Sequence, residues 1–529
     1  MTGPAYSPTP EQQHAVDMFR SGQNTVIEAL AGTGKTSTLQ FIANSAGRRS
    51  RGLYVAFNKA IATEAGRKFA GTGVVSKTMH SLAFAEFGAP MRHRLNDRRT
   101  MRWNEKAKHL GITSKMMFPS GHGAAVGGLP IQTLVKMTSE ALTAFMRSAE
   151  DEITEEMVPW GPDLIGLNDD LTGEVRAAIV GYARTYWEDL IDPDGQLRYD
   201  HDAYFKQWAL SRPTLPYDYI MLDEAQDSDP ITVQVLMNQD VQVVTVGDNF
   251  QSIYGWRGAT NAMDRFDGVR TSLTQSFRFG DEIAEYANRW LSLMHAPLRL
   301  QGMPGRRSSV FRATKRMPEA ILTRSNGRAI QELVEAQERG YETGIAGEKN
   351  AKEMRGLAQA SLDLQREGKT HHPELRDYNS WFDFVEYAMS DDGEEYRPLV
   401  EVIEKYTARG VVRAIDACVP TDEAQVTVST AHVSKGLEWL QVQIAEDFHP
   451  PRRSAIGGVQ PIPAEEARLA YVASTRAQRH LDPRGLEWLD GYLAEGGWVA
   501  SSEPATAHVD NGGAAAPAIT ATEKVPYGA

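Results

Sequence analysis

The sequence contains a single cysteine, Cys418, among its 529 residues. One thiol cannot form an internal disulfide or a cysteine-cluster site for zinc or an iron–sulfur group. No apolar run is long enough to cross a bilayer, and residues 1–10 lack the basic and then apolar segments of an export signal. We therefore expect a cytoplasmic protein without a membrane partner, in which Cys418 is a small residue of the core.

Basic residues are also in deficit, because 56 lysines and arginines face 69 acidic residues and the net charge is −13. On composition alone this balance argues mildly against a nucleic-acid partner. Net charge averages over all domains, however, whereas polyanion binding depends on the potential of one groove. The chain is long enough for several domains of ordinary globular composition. Its function must therefore be read from motifs.

Residues 28–36 resemble a phosphate-binding loop, because the apolar run 25–27 precedes them and residues 37–43 can continue as a helix. Small residues let backbone N–H groups surround phosphate oxygens, and a helix N-terminus adds positive potential. Lys35 is predicted to reach the β- and γ-phosphates, and Thr36 to hold Mg²⁺. The residues predicted to contact the nucleotide are Ala29, Leu30, Ala31, Gly32, Thr33, Gly34, Lys35 and Thr36.

An ordinary glycine-containing turn is the alternative for this loop, since Ala29 replaces the usual first glycine. A second element decides between them: the apolar strand 219–222 ends in adjacent carboxylates, Asp223 and Glu224. Asp223 is predicted to join the Mg²⁺ shell, and Glu224 to orient and deprotonate the attacking water. An acidic turn is the alternative here, but such turns seldom follow four apolar strand residues. Together the two elements predict an ATPase that uses ATP and Mg²⁺.

Gln12 has two possible roles. Thr9 and Pro10 are the N-cap and first residue of a predicted helix, so Gln12 at the third position is a capping-box partner. A glutamine shortly before a phosphate loop can also make a bidentate contact to adenine N6 and N7. From the residues alone, the cap is the favoured interpretation.

Polar residues at the ends of two further strands are candidates for nucleic-acid contact. Asn58 and Lys59 follow a predicted strand at 53–57, and Thr78 and His80 end the next one. Open α/β sheets place ligand contacts at such strand ends. Surface turns also begin there, so each pair alone favours a structural role.

The string 249–259 follows another apolar strand and carries several candidates. Gln251 lies where it can sense the γ-phosphate. Tyr254 and Trp256 are aromatics on a polar loop, where base stacking explains them better than core packing does. Together with Arg257 in the same string, they are predicted to contact DNA.

At this point the chain resembles the UvrD/Rep-like helicases of superfamily 1, in particular the compact branch that is similar to F-box helicases. The remaining motifs of that family have counterparts here in the same order, and they are residues 273–278, 321–326, 426–439 and 465–477. The resemblance implies that Phe277 stacks on adenine while Gln12 reads its edge. It also implies that Arg278 and Arg476 contact the γ-phosphate and that Glu438 approaches the ribose.

The same resemblance implies that Thr430 and His432 face DNA. The expected fold is α/β, with two RecA-like P-loop domains that have parallel sheets and each carry a helical insertion. The expected divisions are 1–85 and 210–275 for the first domain, 86–209 for its insertion, 276–345 and 411–496 for the second domain, 346–410 for its reduced insertion, and 497–529 for a disordered tail.

The implied function is ATP-dependent movement along single-stranded DNA from 3′ to 5′ with strand separation. The expected partners are single-stranded DNA and junctions of single-stranded and duplex DNA. The protein is expected to be monomeric, and its protein partners stay open. One alternative is a motor that strips proteins such as recombinase filaments from a strand. The other is a DNA-binding adaptor switched by nucleotide.

Overall fold

The fold is taken from a computed structural model that describes residues 7–97, 101–116, 128–159, 169–253, 262–313, 317–390, 393–453 and 458–500. Within these ranges the chain forms two α/β units, and the strands of each sheet run parallel to one another. The predicted fold class, α/β with two parallel sheets, is confirmed. The domain boundaries drawn from the sequence stay a prediction.

The first sheet holds six strands among the described residues. In chain order they are β1 (Thr25–Ala29), β2 (Gly52–Val55), β3 (Val74–Lys77), β4 (Tyr219–Leu222), β5 (Gln242–Gly247) and β6 (Val269–Leu273). Their order in space is β3-β2-β4-β5-β1-β6, so Thr25 on β1 pairs with Val244 on one side and Val269 on the other. The carboxyl ends of β1, β4 and β5 therefore lie along one edge of the sheet.

The second sheet also has six strands in the described part of the chain. In chain order they are β7 (Ser309–Val310), β8 (Ala320–Thr323), β9 (Thr343–Ile345), β10 (Val426–Thr430), β11 (Trp439–Ile444) and β12 (Ala477–Asp482). Their spatial order is β7-β12-β11-β8-β10-β9. The central strand β8 thus has β11 and β10 as neighbours, and the turns that follow β8 and β10 lie side by side.

Helices cover both faces of the first sheet. Successive side chains of a strand point to opposite faces, so the apolar residues of these strands are buried on both sides. Val26 joins the buried cluster on one face and Ile27 the cluster on the other. One face is covered by α1 (Pro10–Arg20), α2 (Lys35–Ala46) and α3 (Lys59–Lys68).

The other face is packed against a helical region between β3 and β4, where the sequence predicts the first insertion. Its helices are α4 (Met79–Ala83), α5 (Arg92–Leu95), α6 (Trp103–His109), α7 (Ile131–Arg147), α8 (Asp169–Ile191) and α9 (His201–Leu210). Two short helices, α10 (Pro230–Met237) and α11 (Ala262–Arg265), complete this layer.

The second sheet is also covered on both faces. The helices around it are α12 (Asp281–Leu293), α13 (Asn326–Glu338), α14 (Glu348–Glu367), α15 (Trp381–Met389), α16 (Arg397–Tyr406), α17 (Ala408–Asp416), α18 (Ala464–Ser474) and α19 (Leu489–Ala494). One buried cluster unites α12 and α18, and another unites α13 to α17. Cys418 is partly buried against the latter cluster, and burial raises the pKa of its thiol. None of the helices in the described ranges has the length and apolarity needed to span a membrane.

Candidate nucleotide and nucleic-acid site

The loop after β1 turns through two glycines and opens onto a helix. Gly32 has φ +73° and Gly34 has φ +81°, a backbone region that glycine adopts without strain. A Cβ on Gly32 would lie 2.5 Å from Ser276 Oγ, so no larger residue fits there. Helix α2 begins at Lys35 directly after the second glycine. The loop and the helix N-terminus together form a cradle for an anion.

Lys35 points from the first turn of α2 to the end of β4. Its Nζ lies 3.2 Å from each carboxylate oxygen of Glu224. Glu224 has φ +50°, an uncommon value for a residue with a side chain. Gln226 also donates from Nε2 to Glu224 Oε2 at 2.6 Å. Burial acts to raise the pKa of Glu224, but the charges of Lys35 and Lys435 and the Gln226 hydrogen bond outweigh it and lower that pKa.

Asp223 lies beside Glu224 and is held from two sides. The Tyr54 hydroxyl donates to Asp223 Oδ2 at 2.5 Å, and the Glu224 backbone N–H donates to Oδ1 at 2.9 Å. Burial, together with the negative charge of Glu224, raises the pKa of Asp223 to about 6. Thr36 is half-buried in the first turn of α2. One carboxylate and one hydroxyl suit Mg²⁺, which takes few protein ligands and is otherwise held by phosphates and water.

Gln251 connects the end of β5 to the second sheet. Its Nε2 donates to Asp248 Oδ2 at 2.6 Å, and its Oε1 accepts from Arg476 Nη2 at 3.2 Å. Both Gln251 and Asp248 are buried. The predicted phosphate sensor therefore contacts a predicted arginine finger.

Arg476 follows α18 and is almost fully buried, with 2% of its surface exposed. It donates to Val472 O at 2.9 Å and to the Thr475 hydroxyl at 2.9 Å, and no carboxylate among the described residues forms an ion pair with it. Burial and the nearby charge of Arg278 lower the pKa of Arg476 to about 9. A buried cation is costly unless an anion compensates it, so this position fits a phosphate group.

Arg278 and Glu438, for which the sequence predicts separate roles, are paired with each other. Arg278 Nε donates to Glu438 Oε2 at 2.6 Å, and Nη1 donates to Thr475 O at 2.9 Å. Arg278 lies where the chain passes from β6 to α12, beside Gly32 of the loop. Both side chains are thus at the border between the two sheets.

The two residues predicted to contact adenine border the loop at Gly34. A Cβ on Gly34 would lie 3.1 Å from Gln12 Nε2 and 3.2 Å from Phe277 Cε2. Gln12 Oε1 accepts from the Thr9 N–H at 3.1 Å, which confirms the capping box, and its Nε2 donates to Thr38 at 3.2 Å. The cap fixes Gln12 beside the loop, so the two roles considered for it are compatible.

Two of the four polar residues after β2 and β3 are helix caps in this structure. Asn58 accepts from the Ile61 N–H at 2.9 Å and caps α3, next to an exposed Lys59. Thr78 caps α4 in a capping box with Ser81. These contacts give Asn58 and Thr78, one residue of each pair, a structural role as helix caps.

His80 contacts the first helical insertion. Its Nε2 lies 3.4 Å from Asp202 Oδ1, and its ring centroid lies 4.6 Å from that of Phe205. Thr78 and His80 line a cavity of about 240 Å³ that also reaches Asp223 and Glu224. Thr78 and His80, two of the four candidate DNA contacts of the first unit, therefore lie beside the adjacent carboxylates.

Thr430 and His432 lie at and after the end of β10. They line a cavity of about 640 Å³ between the second sheet and the helices α14 and α16. Arg324 in this cavity is paired with Glu466 through three contacts of 2.8–3.0 Å. Further residues that line the cavity are Ser325, Asn326, Lys349, Asn350, Glu353, Glu374, Glu395 and Glu465. The candidates Tyr254, Trp256 and Arg257 lie outside the described residues.

Several residues of the site have no role predicted from the sequence, and they include Tyr54, Gln226, Asp227, Lys435 and Tyr471. Tyr471 reaches across from α18, where its hydroxyl accepts from Ala31 N at 3.2 Å and lies 3.3 Å from Asp248 Oδ2. Gln226 and Asp227 directly follow the paired carboxylates, and Lys435 and Tyr471 lie inside recognised motifs. The position of these four residues within a motif could have marked them as site residues. No feature of the sequence marks Tyr54 in this way.

Comparison with known proteins decides the family. The UvrD/REP helicase N-terminal domain matches residues 8–266, and the UvrD-like helicase C-terminal domain matches residues 259–482. The chain belongs to the UvrD-like helicase family. The resemblance inferred from the motifs is confirmed, and the UvrD-like matches extend over both sheets.

Two relatives of this UvrD-like chain are F-box helicases. F-box DNA helicase 1 of Gallus gallus is 30% identical over 508 residues, which are 89% of this chain and 48% of that protein. F-box DNA helicase protein 1 of Schizosaccharomyces pombe is 30% identical over 521 residues, or 89% and 57% of the two chains. The chain spans about half the length of the curated relatives it matches.

A more distant relative is also named as a UvrD helicase. ATP-dependent DNA helicase UvrD2 of Mycobacterium tuberculosis is 26% identical over 336 residues, 51% of this chain and 47% of that one. The solved structure of PRRSV helicase aligns with 90% of this chain and 55% of its own at 12% identity, and its TM-score of 0.30 is too low to support an inference.

Proposed function

We propose that this UvrD-like chain is an ATP-dependent DNA helicase that moves from 3′ to 5′ on single-stranded DNA. The observation that carries the proposal is the composite site. Lys35, Asp223 and Glu224 belong to the first sheet, while Arg476 arrives from the second and contacts Gln251 at 3.2 Å. A site divided in this way makes hydrolysis depend on how the two units are apposed.

The first unit supplies the hydrolytic groups. The loop N–H groups and Lys35 hold the phosphates of ATP, and Gln12 and Phe277 hold its base. Thr36 and Asp223 would hold Mg²⁺, which would neutralise charge on the phosphate oxygens. Lys35 is now paired with Glu224. Once Lys35 turns to the phosphates, Glu224 loses a cation and its pKa rises, which makes it a stronger base toward the attacking water.

The second unit supplies positive charge. Arg476 is buried without a carboxylate partner in the described ranges, and Arg278 is held by Glu438. We assign both arginines to the γ-phosphate and Glu438 to the ribose, so that ATP replaces the Arg278–Glu438 pair. An arginine that stabilises the transferred phosphoryl group is typically worth about 10³–10⁵ in rate.

The DNA contacts are assigned to the same edge of both sheets. Asn58, Lys59, Thr78 and His80 lie after strands of the first sheet. Thr430 is the last residue of β10 in the second sheet, and His432 follows that strand. A DNA strand that contacts the candidate residues of both sheets is pulled when the composite site closes and released when the site opens. Single-stranded DNA and its junctions with duplex are therefore the proposed substrates, and a monomer suffices for this cycle.

Two variants test the hydrolytic assignments. In Lys35→Ala and Glu224→Gln we expect DNA-stimulated ATP hydrolysis to fall to background, because the phosphate contact or the base is lost. Binding of a fluorescent single strand should persist in both. Lys352→Ala, on an exposed face of α14, is the matched control and should hydrolyse ATP like the wild type. Unchanged turnover in Glu224→Gln would refute its assignment as the base.

Strand displacement tests the direction of movement. Duplexes with a 3′ tail, a 5′ tail or no tail are compared at several salt concentrations, with and without a bound protein obstacle. Separation of only the 3′-tailed duplex supports the proposal. Displacement of the obstacle without strand separation would favour a protein-stripping motor, and ATP hydrolysis that single-stranded DNA does not stimulate would favour an adaptor.

A further inference from the structure

Lys435 joins the two units at the hydrolytic centre. It lies in the turn after β10, and its ammonium group forms an ion pair with Asp227 and donates to Gln251 O at 2.5 Å. Only 9% of the Lys435 side chain and 2% of the Asp227 side chain are exposed. A buried ion pair contributes little net stability, but removing one partner leaves an uncompensated charge. The pair is therefore better suited to fixing a geometry than to holding the fold together.

Asp227 is connected to the proposed base through one side chain. Gln226 Nε2 donates to Glu224 Oε2 at 2.6 Å and lies 3.5 Å from Asp227 Oδ2. The Gln226 Oε1 atom accepts from the Asp248 N–H at 3.0 Å, so the amide cannot rotate freely. An ammonium group seated on Asp227 thus constrains the amide that orients the Glu224 carboxylate.

The turn that carries Lys435 has two functional faces. Ser434 N donates to Thr430 O at 3.0 Å, and Lys435 N donates to His432 O at 3.4 Å. The Ser434 side chain is fully buried and donates to Ala431 O at 2.7 Å. Thr430 and His432 line the large cavity, whereas Lys435 reaches Asp227. Because internal hydrogen bonds tie the turn together, a force on one face moves the other.

We propose that Lys435 is a positioning residue that couples DNA binding to the catalytic base. DNA seated against Thr430 and His432 fixes the turn and keeps Lys435 on Asp227. Asp227 and Gln226 then hold Glu224 in the orientation that activates water. This inference rests on the proposed DNA-stimulated hydrolysis and deepens it, since it names the chain of contacts by which DNA stimulates turnover.

The decisive measurement is the ratio of ATP turnover with and without single-stranded DNA. In Lys435→Met we expect that ratio to fall by about tenfold to a hundredfold, the range typical for a displaced catalytic group. The dissociation constant for a labelled oligonucleotide and the KM for ATP should stay within about twofold, because Lys435 touches neither ligand in this assignment. A change confined to the fold would not separate these three quantities.

A second variant tests the path rather than the residue. Asp227→Asn keeps the side-chain shape and should reduce the same ratio. If both residues act through one contact, the double variant should be no worse than the more affected single variant. Lys435→Arg, which keeps the charge, should retain part of the stimulation. Lys352→Met is the control for loss of an exposed lysine that lines neither cavity, and thermal melting checks that every variant is folded.

The outcomes separate this inference from the proposed function. A wild type without DNA stimulation overturns both. If DNA stimulates ATP turnover equally in the wild type and in folded Lys435→Met, only the coupling role is overturned. The same holds if the losses of stimulation in the two single variants multiply in the double variant. If Lys435→Met does not fold, the isosteric Asp227→Asn variant tests the proposal instead. Undiminished DNA stimulation of ATP turnover in that variant would refute coupling through Asp227.

Discussion

Each sheet delivers a strand, a turn and a helix to its carboxyl edge, and the two turns differ in what fills them. After β1, Gly32 and Gly34 leave the N-terminus of α2 open to an anion. After β8, the turn before α13 is already occupied, because Asp447 Oδ2 accepts from Arg324 N and Ser325 N, both at 2.9 Å. The Ser325 hydroxyl adds a third donor at 3.1 Å.

The two units share the strand, turn and helix arrangement, but only the turn of the first unit is open to an anion. This difference explains how two similar units can have a single proposed nucleotide site. Any such turn exposes unpaired N–H groups that attract an anion. In the second unit, Asp447 supplies that anion from within the chain, at the cost of burying a carboxyl group, and burial raises its pKa. In the first unit no carboxylate of the described residues accepts from a backbone N–H of the turn, and we propose that phosphate binds there with Lys35 and Arg476 as its cations.

The largest expected effect comes from closing the open turn. In Gly32→Ala, the new Cβ would lie 2.5 Å from Ser276 Oγ at a positive φ. We expect kcat/KM for ATP to fall about a hundredfold or more, since left-handed strain and overpacking each cost about 1–3 kcal/mol. Steady-state hydrolysis and titration with a fluorescent nucleotide measure the loss.

The matched control is Gly327→Ala in the second unit. Its Cβ would meet Leu399 Cβ at 3.0 Å, so the substitution costs stability but touches no predicted nucleotide contact. ATP binding by the folded variant should equal that of the wild type. If Gly327→Ala weakened ATP binding as strongly as Gly32→Ala, the contrast between the two turns would be wrong.

The next effect comes from opening the closed turn. Asp447→Ala leaves Arg324 N and Ser325 N without their acceptor, and we expect the free energy of unfolding to fall by about 1–3 kcal/mol. Inorganic phosphate should stabilise the variant more than the wild type, because in the variant it can occupy the vacated position as well as the open turn after β1. Denaturant unfolding with and without phosphate measures both quantities, and a variant indifferent to phosphate contradicts the comparison.

A smaller effect is expected from pH at Asp223, which follows β4 in the same unit as the open turn. The pKa of Asp223 is raised to about 6, and only its ionised form binds a metal. Below that pH the apparent affinity for Mg²⁺ should therefore fall about tenfold per pH unit, as for any one-proton competition. Asp223→Asn should abolish this dependence. Mg²⁺ titrations of ATP hydrolysis between pH 5 and pH 8 provide the measurement, and a flat profile would remove Asp223 from the metal shell.

The smallest effect concerns the acidic rim of the second unit. Glu353, Glu374 and Glu395 line the cavity that contains Thr430 and His432, and they repel a phosphate backbone. Glu395→Gln should tighten binding of single-stranded DNA by at most about fivefold at low salt, because one exposed charge is worth about 0.2–1 kcal/mol. Glu401→Gln, on α16 but outside the cavity lining, is the control. Equal effects in both variants would mean that only net charge matters.

The features that could be predicted from the sequence lie in contiguous motifs. The glycine loop, the pair Asp223 and Glu224, and the α/β class with two parallel sheets follow from strand patterns and from residues adjacent in the chain. The Gln12 cap was also predictable, because its partner Thr9 is three residues away.

The remainder depends on contacts between distant segments. Tyr54 meets Asp223 only because β2 and β4 pair in the first sheet. Asp447 fills the turn after β8 because β11 lies next to it. Neither alignment can be read from local periodicity, since strand order is decided by the packing of the whole sheet. The pairing of Arg278 with Glu438 has the same origin.

The placement of β1 determines when during synthesis the nucleotide site can exist. The strand lies between β5 and β6, both of which are encoded after the first helical region. A nascent chain that has emerged as far as α9 contains the entire glycine loop, yet neither strand that holds it has been made. Because domains fold as units once their segments are available, products that terminate before β5 carry the loop sequence without a site. We therefore expect such fragments not to bind ATP.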